Sequence, residues 1–387
     1  MSEFDSDMYF FASCVQNYFI EIKGRDKKMN TVWTRAYTMS NHRELNKNLT
    51  TDVVLIGADM TNILTAIFLK EAGCGSVIVD SSTIDNSDSA RMTGDIMTFS
   101  PDMLSKTNQS GRNCTISNIN MRKNAVHEFA RLEKKYKADC LMQFVRATAY
   151  SEKSRLKIKT FSDTAMSYGL FTNPKAGSDI PFPVKGISDF EDQLVFNPLS
   201  FADTLASELN LYEKTPVISI RNHKVTTKKG EITAKFIVTS DMYFYPEKKK
   251  TYRARQIVYE LSDINFCSGI LFDMNGEIKF IKHKDSVLAV SPFFFPDLQD
   301  PTIPIKRFEE KVKTCIKDAD ILNVWFTKDK LYVGNIPYIV KRSPDMPFWL
   351  TACGFDIQGC VGSMIAAKAL SSEILKAQKQ CYRQYVR

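Results

Sequence analysis

The sequence predicts an α/β protein of two domains, a Rossmann-like domain on a parallel sheet and a second domain with a mainly antiparallel sheet. Its 387 residues suggest two or three domains at about 150 residues each. From residue 51 a buried strand, a tight turn, a helix and a second strand follow in order, which is typical of a parallel unit. Residues 241–320 are richer in aromatic residues and in alternation, which is typical of an antiparallel sheet.

The first unit is defined by where its glycines stand. Residues 53–56 form a continuous apolar run, as in a strand buried on both faces, and Gly57 ends it. Residues 62–72 predict a helix that ends at glycines 73 and 75, and residues 76–79 predict a second strand that ends at Asp80. Asp80 lies 23 residues after Gly57, close to the spacing of about 20 in nucleotide-binding βαβ units.

The rest of the chain continues this mixed pattern. Helices are predicted at 119–137, 153–169 and 201–209, and prolines between 180 and 184 indicate a turn or boundary. Strands are predicted over 215–239, with a turn at 228–230, and strand and turn over 323–338. A last strand from Trp349 leads to a helix that is expected to end near Leu375.

Composition excludes several classes of protein. The net charge of +8 is spread along the chain without a recognisable module, so no nucleic-acid partner is predicted. Nine cysteines form no CxxC pair and four histidines show no ligand spacing, so we predict no metal and reduced thiols in a cytoplasmic protein. No apolar run approaches about 18 residues, so no membrane span is predicted.

Four blocks of sequence occur in the order of a known family. They are TDVVLIGADMTNILTAIFLKEAG with VIVD, DIPFPVKGISDFEDQLVFNPLSF, WFTKDKLYVGNIPYI and ACGFDIQGCVGSMIAAKALSSEIL, at 51–80, 179–201, 325–339 and 352–375. With these blocks the chain resembles FAD-dependent oxidoreductases of the D-amino-acid/glycine oxidase superfamily over residues 51–375.

The resemblance implies a domain organisation. It places an FAD-binding domain of glutathione-reductase-like topology in three pieces and a mainly antiparallel substrate domain in two. The implied limits are an N-terminal arm at 1–49, the FAD-binding domain at 50–110, 195–240 and 320–376, the substrate domain at 140–194 and 241–319, and a basic tail at 377–387. Some relatives carry a carboxy-terminal iron–sulfur module, and we expect none here because the chain ends soon after its last helix.

The resemblance also implies which residues hold FAD. The pyrophosphate would lie at the N-terminus of the first helix, where backbone N–H groups favour negative charge, and Asp80 would accept hydrogen bonds from the ribose hydroxyls. The helix that follows the fourth block would direct its N-terminus at the flavin. The implied cofactor-binding residues are Gly57, Ala58, Thr61, Asp80, Ser81, Ser87, Thr93, Val217, Gly334, Gly354, Phe355 and Gly359.

Two flavin-contacting segments depart from the family pattern. The motif GxGxxG keeps only Gly57, because Asp59 and Asn62 replace the second and third glycines. Two negative charges about 4 Å apart repel by roughly 1 kcal/mol in water and about 4 kcal/mol at an effective dielectric of 20. In residues 86–95, Asp95 stands where the family commonly has lysine. Both departures predict weakened or lost FAD binding.

The implied reaction is oxidation of a C–N bond in a small amine or amino acid, by hydride transfer to the flavin. The candidate catalytic residues are Tyr252, Arg253 and Tyr338, and each could instead be an ordinary sheet or surface residue. Trp325 and Asp329 match a W-x-x-x-D block and could equally be core packing and a turn acid. The alternative function is a non-catalytic relative that keeps the fold as a binding or scaffold protein. The oligomeric state is not predicted.

Overall fold

The computed structural model of the protein describes most of the chain. The described residues are 31–35, 37–105, 111–176, 180–239, 252–262, 269–284, 286–295, 300, 302–317, 319–327, 330–332, 338–341, 346–353 and 359–383. Two large sheets form within these residues, and each has its own buried apolar core.

The first sheet has a parallel centre. Its order is β18-β19-β10-β1-β2-β7, and β1, β2, β7, β10 and β19 are parallel neighbours. An antiparallel hairpin of β8 and β9 continues into β10, and β18 closes the other edge. The strands are β1 (Leu49–Ile56), β2 (Ser76–Val79), β7 (Leu211–Tyr212), β8 (Val217–Arg221), β9 (Lys224–Thr227), β10 (Glu231–Thr239), β18 (Tyr338–Lys341) and β19 (Trp349–Cys353).

Four helices contribute to the apolar core of this sheet. The helix that follows β1 packs against the last helix of the chain, and apolar side chains such as Ile63 and Val361 share one buried cluster. The four helices are α2 (Met60–Glu71), α4 (Arg112–Tyr136), α6 (Pro198–Ser207) and α8 (Gly359–Arg383), preceded in the chain by the short α1 (Val32–Arg35) and joined by the short α3 (Pro101–Ser105).

The second sheet is antiparallel except for one pair. Its order is β16-β12-β15-β14-β13-β4-β6-β3, β13 and β4 are parallel, and β5 pairs with β6. A separate ribbon pairs β11 with β17. The strands are β3 (Asp95–Ile96), β4 (Gln143–Ser151), β5 (Asn173–Lys175), β6 (Gly186–Val195), β11 (Tyr252–Ala254), β12 (Ile257–Leu261), β13 (Ile270–Asp273), β14 (Lys279–His283), β15 (Ser286–Val290), β16 (Ile321–Phe326) and β17 (Lys330–Tyr332).

Two helices pack on this second sheet, and only one of them was predicted. Helix α5 (Arg155–Ser167) was predicted, but α7 (Thr302–Cys315) lies in a region for which only sheet was predicted. The Asp300 carboxylate accepts a 2.9 Å hydrogen bond from the backbone N–H of Thr302, and buried apolar residues recur at helical spacing on one face of α7. The helical periodicity was present in the sequence, but the aromatic residues around it led to a prediction of sheet.

The N-terminal strap, defined as residues 31–35 and 37–48, lies across both sheets. Trp33 and Leu45 are buried, and the backbone N–H of Leu45 donates to the Thr215 hydroxyl at 3.1 Å. The strap crosses the turn before β10 so closely that a Cβ on Gly230 would lie 2.4 Å from the carbonyl oxygen of Lys47. These residues precede the blocks of family resemblance, and their packing could not be read from those blocks.

The element limits differ from the predicted boundaries at three places. Strands β3 and β16 hydrogen-bond into the second sheet, although their residues were assigned to the FAD-binding domain. Helix α8 extends to Arg383, into the predicted basic tail. These differences concern single elements, and the limits of the domains as a whole stay a prediction. Among the described helices, none combines the length and the apolar character needed to cross a membrane.

Candidate functional site

The turn between β1 and α2 has the geometry of a nucleotide-binding loop. Gly57 has a φ of 104°, a backbone conformation that side chains oppose, and its N–H donates to the carbonyl oxygen of Val79 at 2.9 Å. The next N–H, of Ala58, donates to the Asp80 carboxylate at 2.6 Å. The loop is therefore hydrogen-bonded to the end of β2. The cofactor-binding roles of Gly57 and Asp80 stay a prediction.

Asp80 is held in place on both of its carboxylate oxygens. One accepts the Ala58 N–H and the other accepts the Ser82 N–H at 2.7 Å, and its backbone pairs with Tyr212 and Thr215. A carboxylate has about four acceptor positions, so two remain after these bonds. The remaining positions suit the two hydroxyls of a ribose.

Asp59 and Asn62 have structural roles in place of the missing glycines. Asp59 is the N-cap of α2, and its carboxylate accepts the Asn62 N–H at 3.1 Å. The buried Asn62 amide donates to the carbonyl oxygens of Ile56 and Gly57 at 3.0 and 2.9 Å. Asp59 thus places a negative charge at the N-terminus of the helix, while Asn62 holds the helix to the strand by hydrogen bonds instead of by close packing.

The 86–95 segment packs against the first turn of α8. Ala58, Ile84, Met92 and Cys360 belong to one buried apolar cluster, and the sulfur atoms of Met92 and Cys360 are 3.5 Å apart. The loop, the segment and the first turn of α8, which begins at Gly359, therefore contribute side chains to the same apolar core. The roles that the resemblance implies for these residues toward the flavin stay a prediction.

Two hydroxyls in this segment are buried without a partner. Ser87 and Ser89 are almost fully buried, and neither hydroxyl has a hydrogen-bond partner among the described residues. Because buried polar groups are generally hydrogen-bonded, two such hydroxyls in one short turn suit a polar ligand. Ser87 was predicted as a cofactor contact, and Ser89 was not.

Asp95 is not an isolated acid, because it is paired with a lysine and a threonine. The Lys279 ammonium and the Thr93 hydroxyl each lie 2.6 Å from its carboxylate oxygens. Burial favours the neutral acid, but Lys279 and the Thr93 hydroxyl lower the pKa of Asp95 below its ordinary value. The negative charge of Asp95 is neutralised by Lys279, which lies 184 residues away in the sequence. No local motif predicts that partner.

The other predicted residues are less fully placed. Thr61 is buried in the first turn of α2, Ser81 is exposed, and Val217 begins β8. Tyr252, Arg253 and Tyr338 lie on strands β11 and β18, but their side chains are outside the described part of the chain. Gly334, Gly354, Phe355 and Asp329 lie outside the described residues.

Two arginines within the described residues were not predicted as site residues. Arg91 ends a short helical turn in the 86–95 segment, and Arg255 precedes β12. The pKa of Arg91 is lowered, first by burial and then by the positive charge of Arg255, while Asp88 acts in the opposite direction. No spacing in the sequence links the two arginines, because only the fold brings their charges near each other.

Metal ligation finds no support in the described residues. Within them, no group of three or more histidine, cysteine or carboxylate side chains is arranged to hold a metal ion. Buried thiols such as Cys140 and Cys315 have their pKa raised by burial, to about 12 and about 11.

Solved structures share this fold over most of the chain. L-Amino acid deaminase from Proteus myxofaciens is 16% identical with a TM-score of 0.69, over 88% of this chain and 93% of that one. Glycine oxidase from Bacillus cereus is 16% identical with a TM-score of 0.66, over 84% and 95%. L-Proline dehydrogenase from P. horikoshii is 15% identical with a TM-score of 0.69, over 85% and 94%.

These comparisons define the class of fold. By their names, these structures are an L-amino acid deaminase, a glycine oxidase and an L-proline dehydrogenase, so the predicted fold class and the resemblance are confirmed at the level of the fold. No protein-family model matches the chain. A curated relative, the Bacillus subtilis protein YhfW, which is named for a Rieske 2Fe-2S cluster, is 22% identical over 376 residues, 90% of this chain and 73% of that protein.

The described residues fit an FAD-type dinucleotide, with one modification. Asp80 offers acceptor positions for the ribose, and the buried hydroxyls of Ser87 and Ser89 offer further hydrogen bonds. The modification is the Asp59 carboxylate at the N-terminus of α2, where the pyrophosphate of such a cofactor would lie.

Proposed function

We propose that this protein is an FAD-dependent oxidoreductase that oxidises the C–N bond of an amino acid or a related amine. The observation that carries the proposal is the β1–α2–β2 unit. Its loop has Gly57 at positive φ and Asp80 with a hydrogen bond on each carboxylate oxygen, which suits a nucleotide. The likeness to amino-acid oxidases and deaminases supports the reaction class.

The chain's own residues would bind the cofactor and orient the substrate. Asp80 would hold the ribose, the N-terminus of α2 would face the pyrophosphate, and the N-terminus of α8 would favour negative charge on the flavin. When bound, FAD supplies the acceptor for a hydride from the carbon that bears the nitrogen. The side chains then need to position the substrate more than to move protons.

A carboxylate-bearing substrate is favoured by the two described arginines. Burial and the positive charge of Arg255 both lower the pKa of Arg91, and a carboxylate bound near Arg91 would favour its charged form. Arg253 and Tyr252 remain candidates for the same task from the neighbouring β11. An amino acid therefore suits the site better than a simple amine.

The degenerate, non-catalytic alternative is favoured by a different observation, the Asp59 carboxylate at the helix terminus. The visible spectrum of the purified protein, before and after addition of FAD, separates the two functions. We expect protein-bound flavin absorbance in the wild type, strongly reduced in Asp80→Ala. The matched control Asp85→Asn changes an exposed acid five residues later and should retain FAD. A folded wild type that takes up no FAD would contradict the proposal.

A further inference from the structure

Four successive carbonyl groups in the 86–95 segment are hydrogen-bonded from outside the segment. The Arg91 carbonyl oxygen accepts from the Trp325 indole at 3.3 Å, that of Met92 from the Trp33 indole at 2.8 Å, and that of Thr93 contacts His283 Nε2 at 3.0 Å. The Gly94 carbonyl accepts the Phe196 backbone N–H at 2.9 Å. Three of the four partners are aromatic ring nitrogens, from distant elements.

The chemistry of these rings determines the direction of the bonds. An indole N–H only donates, and a carbonyl only accepts, so His283 carries its proton on Nε2. Enclosure lowers the pKa of His283 to about 4, which keeps the imidazole neutral near pH 7. Its ring also meets Trp33 edge-on, with 4.8 Å between centroids. The two rings therefore fix each other as well as the backbone.

The segment has little room to adopt another path. Gly94 has a φ of 74°, and a Cβ there would lie 2.3 Å from the carbonyl oxygen of Phe196. The Asp95 carboxylate accepts hydrogen bonds from the Thr93 hydroxyl and from the Lys279 ammonium. The hydroxyls of Ser87 and Ser89, by contrast, have no partner among the described residues. The segment is thus bonded through its carbonyls and keeps two polar groups for a ligand.

We propose that Trp33, Trp325 and His283 form an aromatic clamp that positions the 86–95 segment as a rigid wall of the cofactor site. This inference rests on the proposed function. It makes Trp33 of the N-terminal strap a positioning residue, although the strap lies outside the four family-like blocks. The carbonyl groups of the 86–95 segment are then contacted by ring nitrogens from three elements: Trp33 of the strap, His283 of β14 and Trp325 of β16.

The first test measures hydrogen exchange in the FAD-free, full-length protein. Trp33→Phe keeps a large ring but removes the N–H, and peptides that span 86–95 should exchange about tenfold faster. Trp325→Phe should have a smaller effect because its hydrogen bond is longer. The matched control is Trp349→Phe, which removes a buried indole bond of 3.2 Å to the Thr239 hydroxyl in the other sheet. It should leave the 86–95 peptides unchanged.

The second test uses FAD itself. Trp33→Phe should lower FAD affinity by about tenfold and shift the visible band of the bound flavin, whereas Trp349→Phe should leave the band in place. Equal exchange in the Trp33→Phe variant and the wild type would overturn the clamp. An unchanged affinity and band would overturn its positioning role. A wild type that takes up no FAD contradicts the proposed function and the wall with it, while the exchange contrast still decides the clamp.

Discussion

Asp59 shows how a single residue can serve the fold and oppose the ligand. Its carboxylate caps α2, which satisfies a helix N–H that would otherwise need water or a ligand. In a nucleotide loop of this kind, the phosphate of the ligand supplies the negative charge at that position. The chain therefore carries its own anion there, and the helix terminus does not depend on a cofactor for its cap.

Substitution of Asp59 separates these two roles. Asp59→Asn keeps an N-cap of similar quality and removes the charge, so FAD affinity should rise by about one to three decades while the FAD-free protein stays within about 1 kcal/mol. Titration of FAD by flavin fluorescence and a urea denaturation curve measure the two effects. Asp85→Asn, an exposed acid on a neighbouring turn, should change neither. An affinity unchanged by Asp59→Asn would show that the carboxylate does not face the phosphates.

His283 should make stability depend on pH. Its folded-state pKa of about 4 lies below the ordinary 6.5, so the unfolded chain binds more protons between these values. The stabilisation is complete above pH 6.5 and is lost as pH falls toward 4, by up to about 3 kcal/mol. Urea unfolding between pH 7 and 5 should show this slope, and His283→Gln should reduce it. The same slope in His283→Gln would exclude His283 as its source, and His127→Gln provides an exposed control.

At the scale of elements, the strap and α7 show what local pattern can and cannot predict. Helix α7 has helical spacing of Ile305, Phe308 and Val312, so its sequence contained the necessary signal. The strap has no such periodicity, and its conformation depends on partners far along the chain, such as Asp203 in α6 and Glu260 in β12. Short elements of this kind are determined by the surfaces on which they pack.

The ion pair of Arg35 with Glu260 should anchor the strap to the second sheet. Glu260 is 4% exposed and Arg35 is 46% exposed, so Arg35→Ala leaves a buried carboxylate without its cation and should cost about 1–3 kcal/mol. A double-mutant cycle with Glu260→Gln should give a coupling free energy of about 1–2 kcal/mol. The exposed pair Lys70–Glu208 is the control and should couple by less than about 1 kcal/mol. Equal coupling in the two pairs would contradict the anchoring role.

At the scale of the whole molecule, the candidate site is assembled from widely separated pieces of chain. The loop at Gly57, the 86–95 segment and the start of α8 meet in one apolar cluster, while the clamp adds residues from the strap and the second sheet. Because the site joins so much of the fold, binding there should stabilise the protein as a whole. Ligand binding to the folded state adds about 2.7 kcal/mol at a concentration of 100 times Kd.

Thermal unfolding tests this whole-molecule linkage. The midpoint should rise progressively with FAD concentration in the wild type and remain constant in Asp80→Ala. ADP, which carries the ribose and phosphates without flavin, should raise it less, and riboflavin should have little effect. A midpoint that rises equally with riboflavin would place the binding energy away from the nucleotide loop.

The sequence by itself determined the two-domain α/β class, the βαβ unit with Gly57 and Asp80, and the resemblance to flavin-dependent enzymes. These depend on local order and spacing, which remain visible along one chain. Only the tertiary structure paired Asp95 with Lys279, brought the charges of Arg91 and Arg255 near each other, and joined Trp33 to Met92. Such contacts join residues that can be more than a hundred positions apart, and the free energy that selects them comes from packing and hydrogen bonds that no local pattern encodes.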